Sequence, residues 1–377
     1  MSPGRARARD LGIAPGSLPT GPVNAITDVA GIRVGHATVI EAADDEHGEI
    51  RTGVTAIVHD ALLGRDPGGR RTLPAGLSVY NGFGKMVGAT QLDELGTIET
   101  PVLLTSTLSV FRVADALLTY LHDLPAFART PSLNPVVAET NDGYLSDIWT
   151  RGITAAHVAT ALDSAAAGRV AEGCVGAGTG TAALGFKAGI GTSSRRVPAV
   201  AGPPVTVGAL VQSNFSGVLT VEGRPIRPAV TGPAAAEPPA TGTAAVGNSC
   251  VIVLATDVSL DSRTLRRLAS RAFPAMARTG SDFSGRSGDY AVAISTGTLS
   301  PGADRGTPAV GTAPVPDSEL DRLFTAAIEA TEEAILNSLC MAVTTTGYQG
   351  HVRDAVPLPM VLGTTAVTGT RGSRYGS

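Results

Sequence analysis

The chain has 377 residues, of which 43% are hydrophobic and 16% charged, and its mean hydropathy is positive at +0.17. This composition excludes an intrinsically disordered protein, because a chain of this kind can bury a large apolar core. The formal net charge is −4 and no basic stripe is present, which argues against a nucleic-acid partner. The basic start, residues 1–10, is followed by no apolar run of signal-peptide or membrane-span length, so we expect a cytoplasmic protein without membrane contact.

Glycine is abundant, at 46 residues, while aromatic residues make up only 4% of the chain. Small side chains of this kind favour layers of secondary structure that pack closely. The three cysteines, Cys174, Cys250 and Cys340, are too few and too scattered for a disulfide scaffold or a zinc cluster, and we expect them to be buried small apolar residues. The six histidines lack the spacing of metal ligands, so the sequence gives no support for metal catalysis.

Helices and strands alternate along the chain, separated by Gly-rich connections. Apolar residues recur at helical spacing in residues 154–168, 261–272 and 317–339. Short segments rich in β-forming residues predict strands at 205–211, 249–256 and 290–296. Pro274 follows the second predicted helix and is expected to lie beyond its end. Together these elements predict a layered α/β architecture.

Residues 223–247 are rich in Pro, Ala, Gly and Thr and have little that could anchor them to a core. Such a composition predicts an exposed linker. Two interpretations remain open at this point: the segment separates two domains, or it is the mobile tail of a chain that is cut directly after it.

The tripeptide Asn248-Ser249-Cys250 places a hydroxyl where this linker becomes a predicted strand. A serine hydroxyl can attack the preceding peptide bond, and the ester that forms is then opened by water, so that Ser249 becomes a new N-terminus. The freed α-amine titrates at about 7.7–8.0 and can serve as the base for its own hydroxyl. The alternative interpretation is an ordinary Asn-Ser turn.

Three other polar motifs are candidates for chemistry, each with a structural alternative. Ser287 and Asp289 are two apart, so that on an extended segment their side chains face the same side; a Ser/Asp turn is the alternative. The segment 139–144 could hold a substrate ammonium or form a capped turn, and Asn214 could donate to an oxyanion or lie in a β-turn. The Gly-rich segment 176–180 lacks both the spacing and the following helix of a phosphate-binding loop, so we reject it as a phosphate site.

Taken together, the segments resemble the DmpA-type L-aminopeptidase/D-esterase family, which includes the β-aminopeptidases. The resemblance covers nearly the whole chain and is carried, in order, by residues 24–36, 51–57, 139–143, 176–180, 185–192, 249–257 and 337–341. It implies an N-terminal-nucleophile-like fold, a four-layer αββα sandwich, in one catalytic domain spanning 1–377. It also implies self-cleavage between Asn248 and Ser249 into an α chain, 1–248, with a mobile tail at 223–247, and a β chain, 249–377.

The resemblance further assigns catalytic roles to four residues: Ser249 as nucleophile, Ser287 and Asp289 as the pair beside it, and Asn214 as an oxyanion donor. On the substrate side, Glu139 matches an acid expected to hold the free amine, with Asn141 and Tyr144 as equal candidates for a further contact. Cys250 departs from the aliphatic residue expected after the nucleophile, and strand alternation would make it a packing residue.

The implied activity is a serine aminopeptidase or amidase that releases N-terminal residues from short peptides, amides or esters and needs no cofactor. By the same analogy, its α and β chains stay together and the αβ units form a homotetramer. Two alternatives differ in class. An ornithine acetyltransferase-like enzyme shares the self-cleaving layout but characteristically cuts before Thr, whereas Ser stands here. A non-catalytic small-molecule binding protein would keep the fold without cleavage.

Overall fold

The computed structural model describes residues 4–66, 69–198, 204–228, 248–297 and 317–362. The strands in these ranges are β1 Ile32–Glu41, β2 Ile50–His59, β3 Leu73–Gly82, β4 Met86–Val87, β5 Thr97–Ile98, β6 Val102–Ser106, β7 Val136–Thr140, β8 Ala182–Ala183, β9 Phe186–Lys187, β10 Ile190–Val197, β11 Val205–Asn214, β12 Thr220–Val221, β13 Arg224–Pro225, β14 Ser249–Thr256, β15 Gly288–Ser295, β16 Thr345–Thr346 and β17 Val352–Arg353. The helices are α1 Asp60–Leu63, α2 Ala89–Glu94, α3 Val110–His122, α4 Ala155–Asp163, α5 Ser262–Ala269, α6 Ala272–Thr279, α7 Asp317–Cys340 and α8 Leu358–Val361.

Two main sheets contain most of the strands. The first has the order β1-β2-β6-β7-β4 and the second has the order β10-β11-β14-β15-β3-β5. Neighbouring strands are antiparallel except for two pairs, β6 with β7 and β14 with β15. The parallel pair β14–β15 lies in the middle of the second sheet, between β11 and β3.

Three apolar cores divide the molecule into four layers. One core lies between the sheets, a second lies between the first sheet and helices α3 and α4, and a third lies between the second sheet and helices α5, α6 and α7. Along β14, Cys250 and Ile252 pack into the helix-side core, whereas Val251 and Val253 pack into the inter-sheet core. A strand buried on both faces needs a continuous apolar run, which explains the composition of β14. The expected αββα sandwich is confirmed.

The predicted elements mostly match the structure, with two clear differences. The strand at Ser249–Thr256 and the long helix from Asp317 are confirmed, while the predicted helix 154–168 ends at Asp163. The predicted helix 261–272 is wrong at its end, because α5 stops at Ala269 and a second helix starts at Ala272. Pro274 lies inside the first turn of that second helix, where the proline's missing N–H has no intrahelical partner to lose.

The linker prediction is wrong for its first residues. Arg224–Pro225 pairs with Thr220–Val221 in a small hairpin, and Ile226 is 5% exposed. Residues 229–247, on which the predicted mobile tail mainly falls, lie outside the described residues. Of the cysteines, Cys250 and Cys340 are buried as expected, whereas Cys174 is partly exposed. Within the described ranges, no helix has the length and apolar character to cross a membrane.

Candidate active site

Ser249 is the first residue of β14 and lies in the middle of the second sheet, 3% exposed. Its ladder partners are Asn214 on β11 and Gly288 on β15. The Ser249 hydroxyl donates a hydrogen bond to the carbonyl oxygen of Asn248, and the backbone N–H of Gly288 donates to the same oxygen at 3.2 Å. The carbonyl that self-cleavage would attack is therefore already held by a backbone donor.

Ser287 and Asp289 do form a pair, and a third residue completes it. Ser287 Oγ donates to Asp289 Oδ1 at 2.7 Å, and Asn81 Nδ2 donates to Asp289 Oδ2 at 2.8 Å. Burial raises the pKa of Asp289, and the hydrogen bonds from Ser287 and Asn81 oppose that rise. Asn81 reaches Asp289 because β3 pairs with β15, although the two residues are 208 positions apart in the chain. Sequence reasoning missed Asn81, since no local motif indicates this pairing.

The pair lies on the strand next to Ser249. Asp289 is opposite Cys250 in the ladder. Because Cys250 faces the helix-side core, strand alternation directs the Ser249 side chain to the opposite, inter-sheet side. Asp289 faces the helix side with Cys250, so its carboxylate and the Ser249 hydroxyl lie on opposite sides of the sheet. Burial raises the pKa of the Cys250 thiol well above its usual value, which keeps it protonated and unreactive.

Asn214 is held in a fixed orientation next to Ser249. Its Nδ2 donates to the backbone oxygen of Asn141 at 2.8 Å, and its Oδ1 accepts from the N–H of Ala182 at 3.0 Å. The residue is 1% exposed. A primary amide has two N–H donors, so Asn214 retains one for an oxyanion.

Glu139 near the end of β7 is 2% exposed, and β7 packs on β14 and β11 across the inter-sheet core. Its Oε1 accepts from the backbone N–H of Lys85 at 2.9 Å, whereas Oε2 is buried and has no hydrogen-bond partner among the described residues. Burial raises the pKa of Glu139, and the Lys85 ammonium opposes the rise. A methyl group added at Gly84 would lie 3.2 Å from Glu139 Oε1, and one added at Gly288 would lie 2.9 Å from Gly84 Cα. Gly84 therefore lies between Glu139 and Gly288, whose N–H donates to the Asn248 carbonyl.

The two further substrate candidates have different surroundings. Asn141 is exposed, and its Oδ1 accepts from the N–H of Gly143 at 2.9 Å, so it forms a turn and still faces solvent beside Asn214. The Tyr144 ring is stacked on His351, with ring centroids 4.4 Å apart, and the Arg353 guanidinium lies 4.0 Å from the Tyr144 centroid. These contacts connect Tyr144 with the C-terminal segment, and a substrate contact for it stays a prediction.

Two buried titratable residues were given no role of their own from the sequence, although one of them, Asp142, belongs to the segment 139–144. Asp142 is 1% exposed, and burial raises its pKa to about 7. Lys187 is fully buried and donates to the backbone oxygens of Gly178 and Ala188 at 3.1 and 2.5 Å. The Lys187 charge opposes the rise in the pKa of Asp142. A methyl group at Gly180 would lie 2.0 Å from the Arg51 carbonyl oxygen, so this Gly-rich loop is a packing element, in agreement with its rejection as a phosphate site.

Residues 24–353 match the family described as peptidase family S58, and this range includes every candidate site residue. The chain belongs to peptidase family S58. It is 39% identical over 366 residues to a β-peptidyl aminopeptidase, BapA, of Sphingosinicella microcystinivorans, with 93% of this chain and 89% of that protein covered.

Two solved structures are similar to this S58 chain throughout. One is a β-aminopeptidase of a Burkholderia species, with 39% identity and a TM-score of 0.83. The other is an L-aminopeptidase D-Ala-esterase/amidase of Ochrobactrum anthropi, described as a prototype of the serine aminopeptidases and a variant of the Ntn hydrolase fold, with 35% identity and a TM-score of 0.84. Each alignment covers 95% of this chain and 98% of the other. The family, the fold and serine aminopeptidase function are confirmed, which sets aside the acyltransferase and the binding protein.

Proposed function

We propose that this S58 peptidase cuts its own chain between Asn248 and Ser249 and then uses Ser249 as an N-terminal nucleophile. The observation that carries the proposal is the Asn248 carbonyl oxygen, which accepts both from the Ser249 hydroxyl and from the Gly288 N–H. The single catalytic domain would thereby become an α chain, 1–248, and a β chain, 249–377.

In the cleavage step, Ser249 Oγ attacks the Asn248 carbonyl carbon and loses its proton. The carbonyl oxygen becomes an oxyanion that the Gly288 N–H stabilises where it already donates. Collapse breaks the C–N bond, the Ser249 nitrogen takes up a proton, and the acyl group is left as an ester on Oγ. Water then hydrolyses the ester, which frees the hydroxyl and leaves a carboxylate on Asn248.

The same groups serve turnover. Glu139 Oε2, which is buried and has no hydrogen-bond partner in the described part of the chain, accepts the ammonium of the substrate's N-terminal residue. Ser249 Oγ attacks the carbonyl that follows this residue, the α-amine of Ser249 takes the hydroxyl proton, and it returns the proton to the leaving amine. The pair of Ser287 and Asp289 lies on the neighbouring strand and would orient this amine. Asn214 and the Gly288 N–H are the oxyanion donors, each worth on the order of 10²–10³ in rate.

The substrates are short peptides, amides or esters with a free amine. Similarity to a β-peptidyl aminopeptidase supports acceptance of N-terminal β-amino residues. Neither metal nor organic cofactor enters these steps. The homotetramer of αβ units, the substrate role of Asn141 and the cytoplasmic location remain predictions from family analogy and composition.

Intact mass and N-terminal sequencing of purified protein test the proposal. The wild-type protein should contain two chains, the second starting Ser-Cys-Val-Ile, without added protease. Ser249→Ala should remain one chain and be inactive, while Ser249→Cys should still cleave, since a thiol can perform the same acyl shift. An unbroken wild-type chain with full aminopeptidase activity would refute the mechanism, because its base exists only after cleavage.

A further inference from the structure

Lys85 is one of only two lysines in the sequence, and it lies beside the carboxylate of Glu139. Its Nζ is 3.7 Å from Glu139 Oε1 and donates to Thr107 Oγ1 at 2.7 Å. The Lys85 side chain is 39% exposed, whereas that of Glu139 is 2% exposed. The ammonium therefore remains accessible to a ligand that reaches Glu139, and it has N–H donors beyond the one that Thr107 uses.

One carboxylate and one ammonium group face each other at this position before any substrate binds. They belong to Glu139 and Lys85, which form an ion pair. A substrate ammonium at Glu139 adds a positive charge that lacks a counter-charge, next to the Lys85 ammonium. An uncompensated charge in a largely buried place is costly. A negative group carried by the same substrate would restore the balance.

We propose that Lys85 binds a carboxylate that the substrate carries on the same carbon as its free amine. This inference rests on the proposed function and names its substrate class. The 3.7 Å between Lys85 Nζ and Glu139 Oε1 suits an ammonium and a carboxylate that share one carbon. When the α-amine and the α-carboxylate are both free, the scissile amide must lie on the side chain. The substrates are therefore isopeptides of acidic residues, above all β-aspartyl amides.

β-Aspartyl amides fit the same chemistry as β-residue amides. A β-alanyl amide and a β-aspartyl amide have the same number of bonds from the amine to the scissile carbonyl and differ only by the α-carboxylate. Ser249, the oxyanion donors and the leaving amine would therefore act identically on both. Lys85 contributes binding that is equal in the ground state and the transition state, so its effect should fall on KM rather than kcat.

The test compares two anilides with the same leaving group, the β-(p-nitroanilide) of L-aspartic acid and the p-nitroanilide of β-alanine. The wild-type enzyme should have the higher kcat/KM for the aspartyl compound. Lys85→Met, which keeps the length and removes the charge, should lower kcat/KM for the aspartyl anilide by about 10–100-fold relative to the β-alanyl anilide, as expected for one charge-assisted contact. Lys85→Arg should restore much of the difference, mainly through KM.

Three outcomes would overturn the inference in distinguishable ways. If the wild-type enzyme hydrolyses the β-alanyl anilide but not the aspartyl one, the inference fails and the proposed function stands. An equal loss on both anilides in Lys85→Met would make Lys85 a structural partner of Glu139. If Lys85→Met instead lowers kcat/KM for β-alanyl-alanine but not for its C-terminal amide, Lys85 binds a carboxylate on the leaving residue. Hydrolysis of neither anilide by an unbroken wild-type chain would reject the proposed function itself.

Discussion

Replacing Gly288 with alanine tests whether its N–H is the donor that drives self-cleavage. A Cβ at this position would lie 2.9 Å from Gly84 Cα and 3.2 Å from both Gly84 N and the Phe83 oxygen. These are backbone atoms in the connection that follows β3, so the clash cannot be relieved by turning a side chain. Either the start of β15 or this connection must move instead.

The structure sets the size of the effect. The distance from the Gly288 nitrogen to the Asn248 oxygen is 3.2 Å, at the long end of the range for N–H···O hydrogen bonds. A shift of a few tenths of an ångström therefore breaks this hydrogen bond. Loss of one oxyanion donor costs about 10²–10³ in rate. We therefore expect Gly288→Ala to slow the appearance of the two chains by about 100-fold or more.

The assay is cell-free synthesis followed by gel and intact-mass analysis of the chain at timed intervals. Gly82→Ala is a matched control, because Gly82 is the ladder partner of Gly288 on β3 and a Cβ there would meet no atom within 4 Å. It should mature at the wild-type rate. If Gly288→Ala keeps a native circular dichroism spectrum and also matures at the wild-type rate, the Gly288 N–H is not the oxyanion donor.

Two further predictions concern the carboxylates. Asn81→Leu removes a hydrogen bond that lowers the pKa of Asp289, so this pKa should rise further above its ordinary value. The acid limb of the kcat–pH profile should then move to higher pH. An unmoved profile would mean that Asp289 does not tune the base. Glu139→Gln should raise KM for peptides with a free amine by about tenfold or more and should change the hydrolysis of neutral esters less. Equal effects on both kinds of substrate would show that Glu139 only supports the turn at Lys85.

The sequence was informative about local features and uninformative about pairing between distant segments. The apolar run after Ser249 identifies β14 because a strand buried on both faces requires one, and the two-residue spacing of Ser287 and Asp289 indicates their convergence. Neither pattern indicates that Asn81 caps Asp289, because that contact depends on β3 joining the second sheet beside β15. Lys85 was missed for the same reason, since its contact with Glu139 requires the pairing of β4 with β7.

The two main sheets supply different groups to this site, and the proposed role of each group follows from its sheet. In the proposed mechanism, the second sheet provides the nucleophile, both oxyanion donors and the carboxylate of the neighbouring strand, all on β11, β14 and β15 or at their ends. These groups would act on a carbonyl that belongs to the chain itself before cleavage and to a substrate afterwards. The first sheet and its connections provide Glu139 and Lys85, which pair with each other and to which the proposals above give roles in substrate binding only. Changes at Gly288 should therefore impair maturation and turnover together, whereas changes at Glu139 or Lys85 should leave two normal chains whose substrate preference has shifted. A Glu139 variant that failed to mature would show that the two sheets are not separable in this way.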